Sequence, residues 1–256
     1  MIVCKSPREI DRMAVANALV ARVLGELAAT IAPGATTREL DALAERLVRE
    51  AGAEPAFKGY RGYPATLCAS VNEQVVHGIP SDRRLVDGDI VSLDMGVKLD
   101  GFYGDSAITV PVGEIGSDAR RLLHVTQVAL ERGIAQVRVG GRISDIGHAI
   151  QAHVESEGFS VVREFVGHGI GASLHEEPQI ANYGEPGRGP RMVEGMVFAI
   201  EPMVNMGRPA VKVLSDGWTA VTKDGSLSAH FEHTVAVTGA GARVLTTRSP
   251  AATAAR

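Results

Sequence analysis

VDGDIVSLDMGVKLDGFYGD, residues 86–105, decides how this chain is read. The stretch opens on a turn at Asp87-Gly88, runs apolar through Ile90–Leu93 and stops on a carboxylate, Asp94. A second run follows Asp100-Gly101 and ends on Asp105. Asp-Gly between two strand-like runs predicts a two-residue hairpin. With that turn Leu99 faces Phe102 and Gly96 faces Asp105. Side chains alternate along a strand, so Asp94 shares the face of Gly96 and therefore of Asp105. Two carboxylates pointing into one space repel unless a proton or a cation lies between them. The hairpin therefore predicts a metal.

The same pattern returns further on. VDGDIVSLD at 86–94 is echoed by VEGMVFAIE at 193–201, and eight of the nine positions are identical or similar. Glu201 becomes the counterpart of Asp94, which predicts two similar halves facing one site. The surroundings repeat as well. Ser6-Pro7-Arg8-Glu9 is a capping box that starts a helix through Met13, Leu19, Val23, Leu24 and Leu27, ended by Pro33-Gly34. Thr36 and Glu39 start a shorter helix that stops at Gly52. In the second half a long helix is expected from Ser117 to near Gly140-Gly141, then a shorter one from Ile146 to Val154, capped by Ser144 and stopped at Gly158. Strands are expected around 66–71, 161–166, 196–200, 211–214, 219–221 and 232–237. A duplication of this kind changes the whole fold reading. It predicts a single α+β domain over residues 1–246, with halves of about 1–112 and 113–246, and a disordered polar tail at 247–256.

Composition narrows the function. At 256 residues, 45% apolar and 22% charged, the chain has ample material for a buried core. A net charge of −4 without a Lys/Arg cluster argues against nucleic acid as a partner. No apolar stretch is expected to reach the length of a membrane span, and MIVCKSPREI lacks a signal-peptide core. Cys4 and Cys68 form no motif and read as two reduced thiols. A cytoplasmic protein without membrane contact, acting as a monomer, is the expectation.

Three more stretches place ligand-type side chains at strand ends. FVGHGIG (165–171) holds His168 between glycines, AIEP (199–202) ends on Glu201, and HFEHTVAV (230–237) carries Glu232. With Asp94 and Asp105 this makes four carboxylates and one imidazole. Such a hard, oxygen-rich set suits two divalent ions of the Mn, Fe(II), Co or Zn kind better than a thiolate site. The remaining histidines, 124, 148, 153, 230 and 233, read as ordinary core or surface residues.

These five positions, together with CASVNEQVVHGIP (68–80) and HEEPQI (175–180), resemble the type I methionine aminopeptidases over nearly the whole chain. The resemblance implies the pita-bread fold, two pseudo-symmetric halves of antiparallel sheet flanked by helices. It also implies removal of the initiator methionine from nascent chains whose second residue is small. In that family's terms Asp94 chelates one ion, Asp105 and Glu232 bridge both, and His168 and Glu201 complete the other. Glu201 is then the general base, His175 the residue that stabilises the oxyanion, and His77 lies on the leaving-group side. The methionine pocket falls to Phe57, Tyr60, Tyr63, Cys68, Leu174 and Trp218, with His77 and His175 beside it. Nascent polypeptide N-termini are the implied partners, with the ribosome as a further candidate. The sequence departs from relatives at four places: Phe57 stands where a cysteine is common, Leu174 where an aromatic is, and Gly96 and Ala199 where a threonine is.

Three rivals are weighed. Proline-directed peptidases share the ligand pattern but carry an extra N-terminal domain, for which Asp94 comes too early. A binding module that has lost catalysis would need a missing ligand, and all five are present. The helical insertion of the type II enzymes does not fit the 30 residues between Glu201 and Glu232.

Overall fold

The Asp-Gly hairpin forms in the expected register. In the computed structural model, which describes residues 1–247, β4 (Ile90–Leu99) and β5 (Phe102–Pro111) pair antiparallel. Leu99 lies opposite Phe102 and Gly96 opposite Asp105. Both turn residues take the left-handed backbone, Asp100 at φ 49° and Gly101 at φ 82°, which matches the twist of the two strands. The tail expected to be disordered lies outside the described residues, except for Thr247.

The first half is α1 (Pro7–Thr30), α2 (Thr37–Glu50), β1 (Glu54–Pro55), β2 (Leu67–Val71), β3 (Gln74–Val76) and this hairpin. The second is α3 (Ser117–Ile134), α4 (Ile143–Ser156), β6 (Ser160–Val161), β7 (Gly167–Gly169), β8 (Glu176–Ile180) and β9 (Val197–Ile200). It continues as β10 (Met203–Asn205), β11 (Val211–Val213), β12 (Ala220–Thr222), β13 (Ser228–His230), β14 (His233–Thr238) and β15 (Gly241–Val244). In one sheet β4 pairs with β5 along one edge and with β2 and then β1 along the other; a second runs β15-β14-β9-β7-β8. Two three-stranded sheets, β13-β10-β6 and β11-β12-β3, complete the fold.

The echo in the sequence is an echo in space. β9 begins 107 residues after β4, and each follows a glycine in the left-handed conformation, Gly88 at φ 92° and Gly195 at φ 90°. Each half also opens with a long helix followed by a 14-residue one. Register extends the match: Asp94 lies opposite Ala107 and Gly96 opposite Asp105, while Met203, two residues after Glu201, lies opposite His230. His230 is therefore the counterpart of Asp105, and Glu232 that of Ala107.

The halves meet where β5 runs beside residues 230–234. The Thr109 hydroxyl donates to the carbonyl of His230 and the Thr234 hydroxyl to that of Asp105, both at 2.8 Å. The Glu232 N–H donates to the Ala107 carbonyl at 2.9 Å, and the Ser106 hydroxyl to the Glu232 carbonyl at 2.7 Å. All of these groups are buried, so losing one would leave an unpaired polar atom in the interior. One apolar core, including Leu24, Leu93, Leu122, Ile150 and Phe198, draws on both halves.

Four expectations are corrected. α1 is 24 residues long and apolar enough, by length and composition, to cross a membrane. Here Met13, Leu19, Val20, Val23, Leu24 and Leu27 are buried within the fold, so the apolar face is core-facing. α3 stops at Ile134 rather than near Gly140, and the chain beyond it turns Val137 into the core. α4 starts from Arg142, with Asp145 accepting the Arg142 N–H, and Ser144 lies inside the helix bonded to the Arg188 backbone. The strand expected at 161–166 is cut to Ser160–Val161, because Arg163 and Glu164 go to solvent before the chain re-enters at Gly167.

Candidate active site

Three carboxylates and an imidazole converge where the halves meet. Asp105 comes from β5, Glu232 precedes β14, His168 lies in β7 and Glu201 follows β9. Asp105, His168 and Glu232 each offer a ligand atom, all within 4.8 Å of one another. The His168 Nε2 is 3.6 Å from Glu201 Oε1 and 3.9 Å from Asp105 Oδ2. Its Nδ1 lies 2.9 Å from the Gly169 carbonyl, so the N–H sits there and Nε2 keeps a free lone pair toward the acids. Asp94, diagonal to Asp105 across the hairpin, completes the group.

The glycines beside His168 serve the sheet. A Cβ on Gly167 would fall 2.3 Å from the Ala199 carbonyl, and one on Gly169 2.3 Å from the Glu177 carbonyl. Close packing against β8 and β9 thus requires both glycines, and it holds the imidazole edge toward the acids.

Burial drives the electrostatics. Desolvation raises the Asp94 carboxyl to about 7. Asp105, Glu201 and Glu232 are pushed well above the usual carboxylate range by burial first and then by neighbouring charge, chiefly Asp94 for Asp105 and Glu201, and Asp105 for Glu232. Burial takes His168 down to about 3 and His77 to about 4, each helped by His175. Asp94 Oδ1, Asp105 Oδ1 and Glu232 Oε1 are buried with no hydrogen-bond partner. Buried acceptors without donors, beside a neutral imidazole with a free lone pair, fit a divalent cation.

All thirteen side chains predicted for the site line one cavity of about 140 Å³. Its apolar wall comes mainly from the first half. Tyr63 meets Trp218 edge-on at 5.1 Å, and both pack with Cys68, Phe57 and Ile79. The Tyr63 hydroxyl reaches the Leu67 and Gly78 carbonyls at 3.1 and 3.0 Å, which locks the ring in place. Burial raises the Cys68 thiol well above its ordinary value, with the Asp94 charge adding to it, so it stays protonated. His175 stacks on Tyr60 at 5.2 Å and lies 4.2 Å from the His168 ring, while His77 packs edge-on against Phe165 and Trp218. Leu174 is buried on the same loop as His175.

Phe57 and Gly96 belong together. A Cβ on Gly96 would lie 2.9 Å from the Phe57 ring and 3.1 Å from Ala56 Cβ. The aromatic ring occupies the space that a side chain at 96 would need, so the two positions are sterically linked.

Three residues escaped the sequence reading. Arg61 lines the cavity beside Tyr60. His230, read as ordinary, is buried with its Nε2 3.8 Å from Glu201 Oε2 and neither ring nitrogen bonded. Lys5 is buried on Glu176 at 2.6 Å, and the same carboxylate accepts the Ser173 N–H at 3.1 Å. That pair ties the N-terminal segment to the loop carrying Leu174 and His175. The repeat held a signal only for His230.

Comparison with known proteins places the chain in a family. The profile of "Metallopeptidase family M24" matches residues 11–239. The chain belongs to metallopeptidase family M24. A Bacillus subtilis relative named methionine aminopeptidase 1 is 55% identical over 246 residues, covering 96% of this chain and 99% of the relative. The crystal structure of a methionine aminopeptidase from Rickettsia prowazekii superposes with a TM-score of 0.96 at 42% identity, covering 96% of this chain and all of that one. A Pyrococcus horikoshii prolidase shares the fold at a TM-score of 0.78 and 23% identity, but this chain spans only 65% of it. Membership of M24 carries with it the use of a metal ion.

Proposed function

We infer that this chain is an aminopeptidase that removes N-terminal methionine from peptides and nascent proteins with a small second residue. One observation carries the reading: a buried acid and imidazole cluster forms one side of a cavity whose other side is aromatic and thiol. The acids fit metal ions, and the wall suits a flexible thioether through dispersion and sulfur–aromatic contact.

Asp94, Asp105, His168, Glu201 and Glu232 would hold two divalent ions of the Mn, Fe(II), Co or Zn kind. Divalent ions supply Lewis acidity there, making water a better proton donor and polarising the scissile carbonyl. Glu201 accepts the proton of the attacking water and passes it to the leaving amine, a role that a buried carboxylate of raised proton affinity suits. His175 is neutral, its proton affinity lowered by burial and by the Arg61 charge, and it donates a hydrogen bond to the developing oxyanion. His77 lies on the leaving-group side. The substrate α-amino group lies beside Asp94, which restricts the reaction to free N-termini.

The test is hydrolysis of Met-Ala-Ser, Leu-Ala-Ser and Ala-Pro-Ser by protein stripped with chelator and then given one metal at a time. Metal-restored cleavage of the methionine peptide alone is expected. Cleavage before proline would replace the reading with a proline-directed one, and no cleavage by folded protein with any metal would remove it.

A further inference from the structure

Arg61 and His175 are the exposed residues among those lining the cavity, so they mark its mouth. Arg61 is also the one arginine or lysine in that lining. It is held there by an unusual backbone. Arg61 has φ 50° and ψ 23°, in the left-handed region, between Gly59 at φ 87° and Gly62 at φ 89°. That conformation is disfavoured for a side chain with a Cβ and persists where surrounding structure imposes it. Here the Gly59 N–H bonds the Tyr63 carbonyl at 2.8 Å and the Tyr63 N–H bonds the Tyr60 carbonyl at 2.9 Å, closing the loop around it. The guanidinium carbon lies 5.4 Å from the centroid of the Tyr60 ring, which in turn stacks on His175.

The charge is available. Lys58, three residues earlier, is paired with Glu45 at 2.7 Å, whereas among the described residues no carboxylate lies within ion-pair distance of Arg61. With Arg61 at the mouth, a peptide whose first side chain filled the Tyr63–Cys68–Trp218 wall would pass this guanidinium on its way out. We propose that Arg61 determines specificity by favouring peptides with a carboxylate downstream of the scissile bond. That carboxylate is either an acidic side chain near the third residue or the C-terminus of a short peptide. The proposal rests on the aminopeptidase reading and deepens it.

The experiment compares kcat/KM of the metal-loaded enzyme on Met-Ala-Gly amide, Met-Ala-Glu amide, Met-Ala-Lys amide and Met-Ala-Gly free acid. An exposed charge pair supports a preference of about three- to tenfold for Glu over Lys, seen in KM and weakened by salt. In Arg61→Gly, which suits the left-handed backbone, that ratio falls to about one, and in Arg61→Glu it inverts. Free acid over amide reports the C-terminal source; Glu over Lys reports the side-chain source. Calorimetry on non-hydrolysable reduced-amide analogues is expected to give the same ratios in binding alone. An unchanged ratio in Arg61→Gly overturns the proposal while cleavage of the neutral amide leaves the aminopeptidase reading standing. Failure of the unmodified enzyme on the neutral amide overturns that reading instead.

Discussion

The two halves of this molecule use one local plan and end with different chemistry. In each, a left-handed glycine precedes an apolar strand run that meets an acid, Asp94 within β4 or Glu201 just after β9. The neighbouring strand then differs. The first half puts Asp105 opposite the residue two beyond its acid, where the second puts His230; it puts Ala107 opposite the acid itself, where the second puts Glu232. The hydroxyls that join the halves remain symmetric, Thr109 on His230 and Thr234 on Asp105. Scaffold contacts thus follow the duplication, whereas of the functional groups only the Asp94 and Glu201 pair does. Two acids per half at unlike positions converge on one site instead of forming two separate pairs.

The sharpest break of this comparison is between Asp105 and its counterpart. Asp105→Ala and Glu201→Ala are each expected to lower kcat/KM by about 10²- to 10⁴-fold while circular dichroism stays native. His230→Leu removes a neighbour of Glu201 and is expected to cost less, about 10- to 100-fold. Equal losses at Asp105 and His230 would mean that the two positions share one role.

Next comes the pH dependence of metal-free protein. Between about pH 7.5 and 8.5 the imidazoles of His77, His168 and His230 are essentially neutral whether folded or unfolded, since burial lowers their folded values to about 4, 3 and 3. The site carboxyls are ionised when unfolded but hold protons when folded, Asp94 up to about 7 and the others well above the usual range. The folded state binds more protons, so stability falls as pH rises. The melting temperature of chelated protein should drop across this window, and that of metal-loaded protein should drop less. A flat profile for the chelated form would contradict the convergence of acids.

A smaller effect tests the pocket wall, which belongs to the first half. Gly96→Ala should destabilise by about 1–3 kcal/mol because the new methyl meets Phe57. In Phe57→Ala the same change should be better tolerated, so a double-mutant cycle in urea should show coupling. Additive effects would separate the two residues. Smallest of all, Thr234→Val should destabilise by about 1 kcal/mol, and Thr109→Val by somewhat more because its hydroxyl also accepts the His230 N–H. Equal values would show that this extra bond adds nothing to the join.

Much of this was legible before any coordinates. The hairpin register followed from Asp100-Gly101, because a two-residue turn leaves no freedom in pairing. The capping boxes at Ser6 and Thr36 were legible because they join residues three apart. The helix at 143–156 was misplaced at its start because Ser144, a favourable cap by type, is engaged by Arg188, 44 residues away. α1 escaped notice as a span-length apolar helix because its charged residues are spaced along one face, with the apolar ones buried on the other.

By itself the sequence determined the turns, the alternation that aims Asp94 and Asp105 at one space, the repeat, and the side chains able to hold a cation. These are local or periodic properties, written in residues a few positions apart. Only the tertiary structure decided that His230 lies against Glu201, that Phe57 fills the space over Gly96, that Lys5 anchors the His175 loop, and that Arg61 stands at the mouth. Each of these contacts depends on how two elements with no shared period come to rest against each other, and packing across the interior sets that, not spacing along the chain.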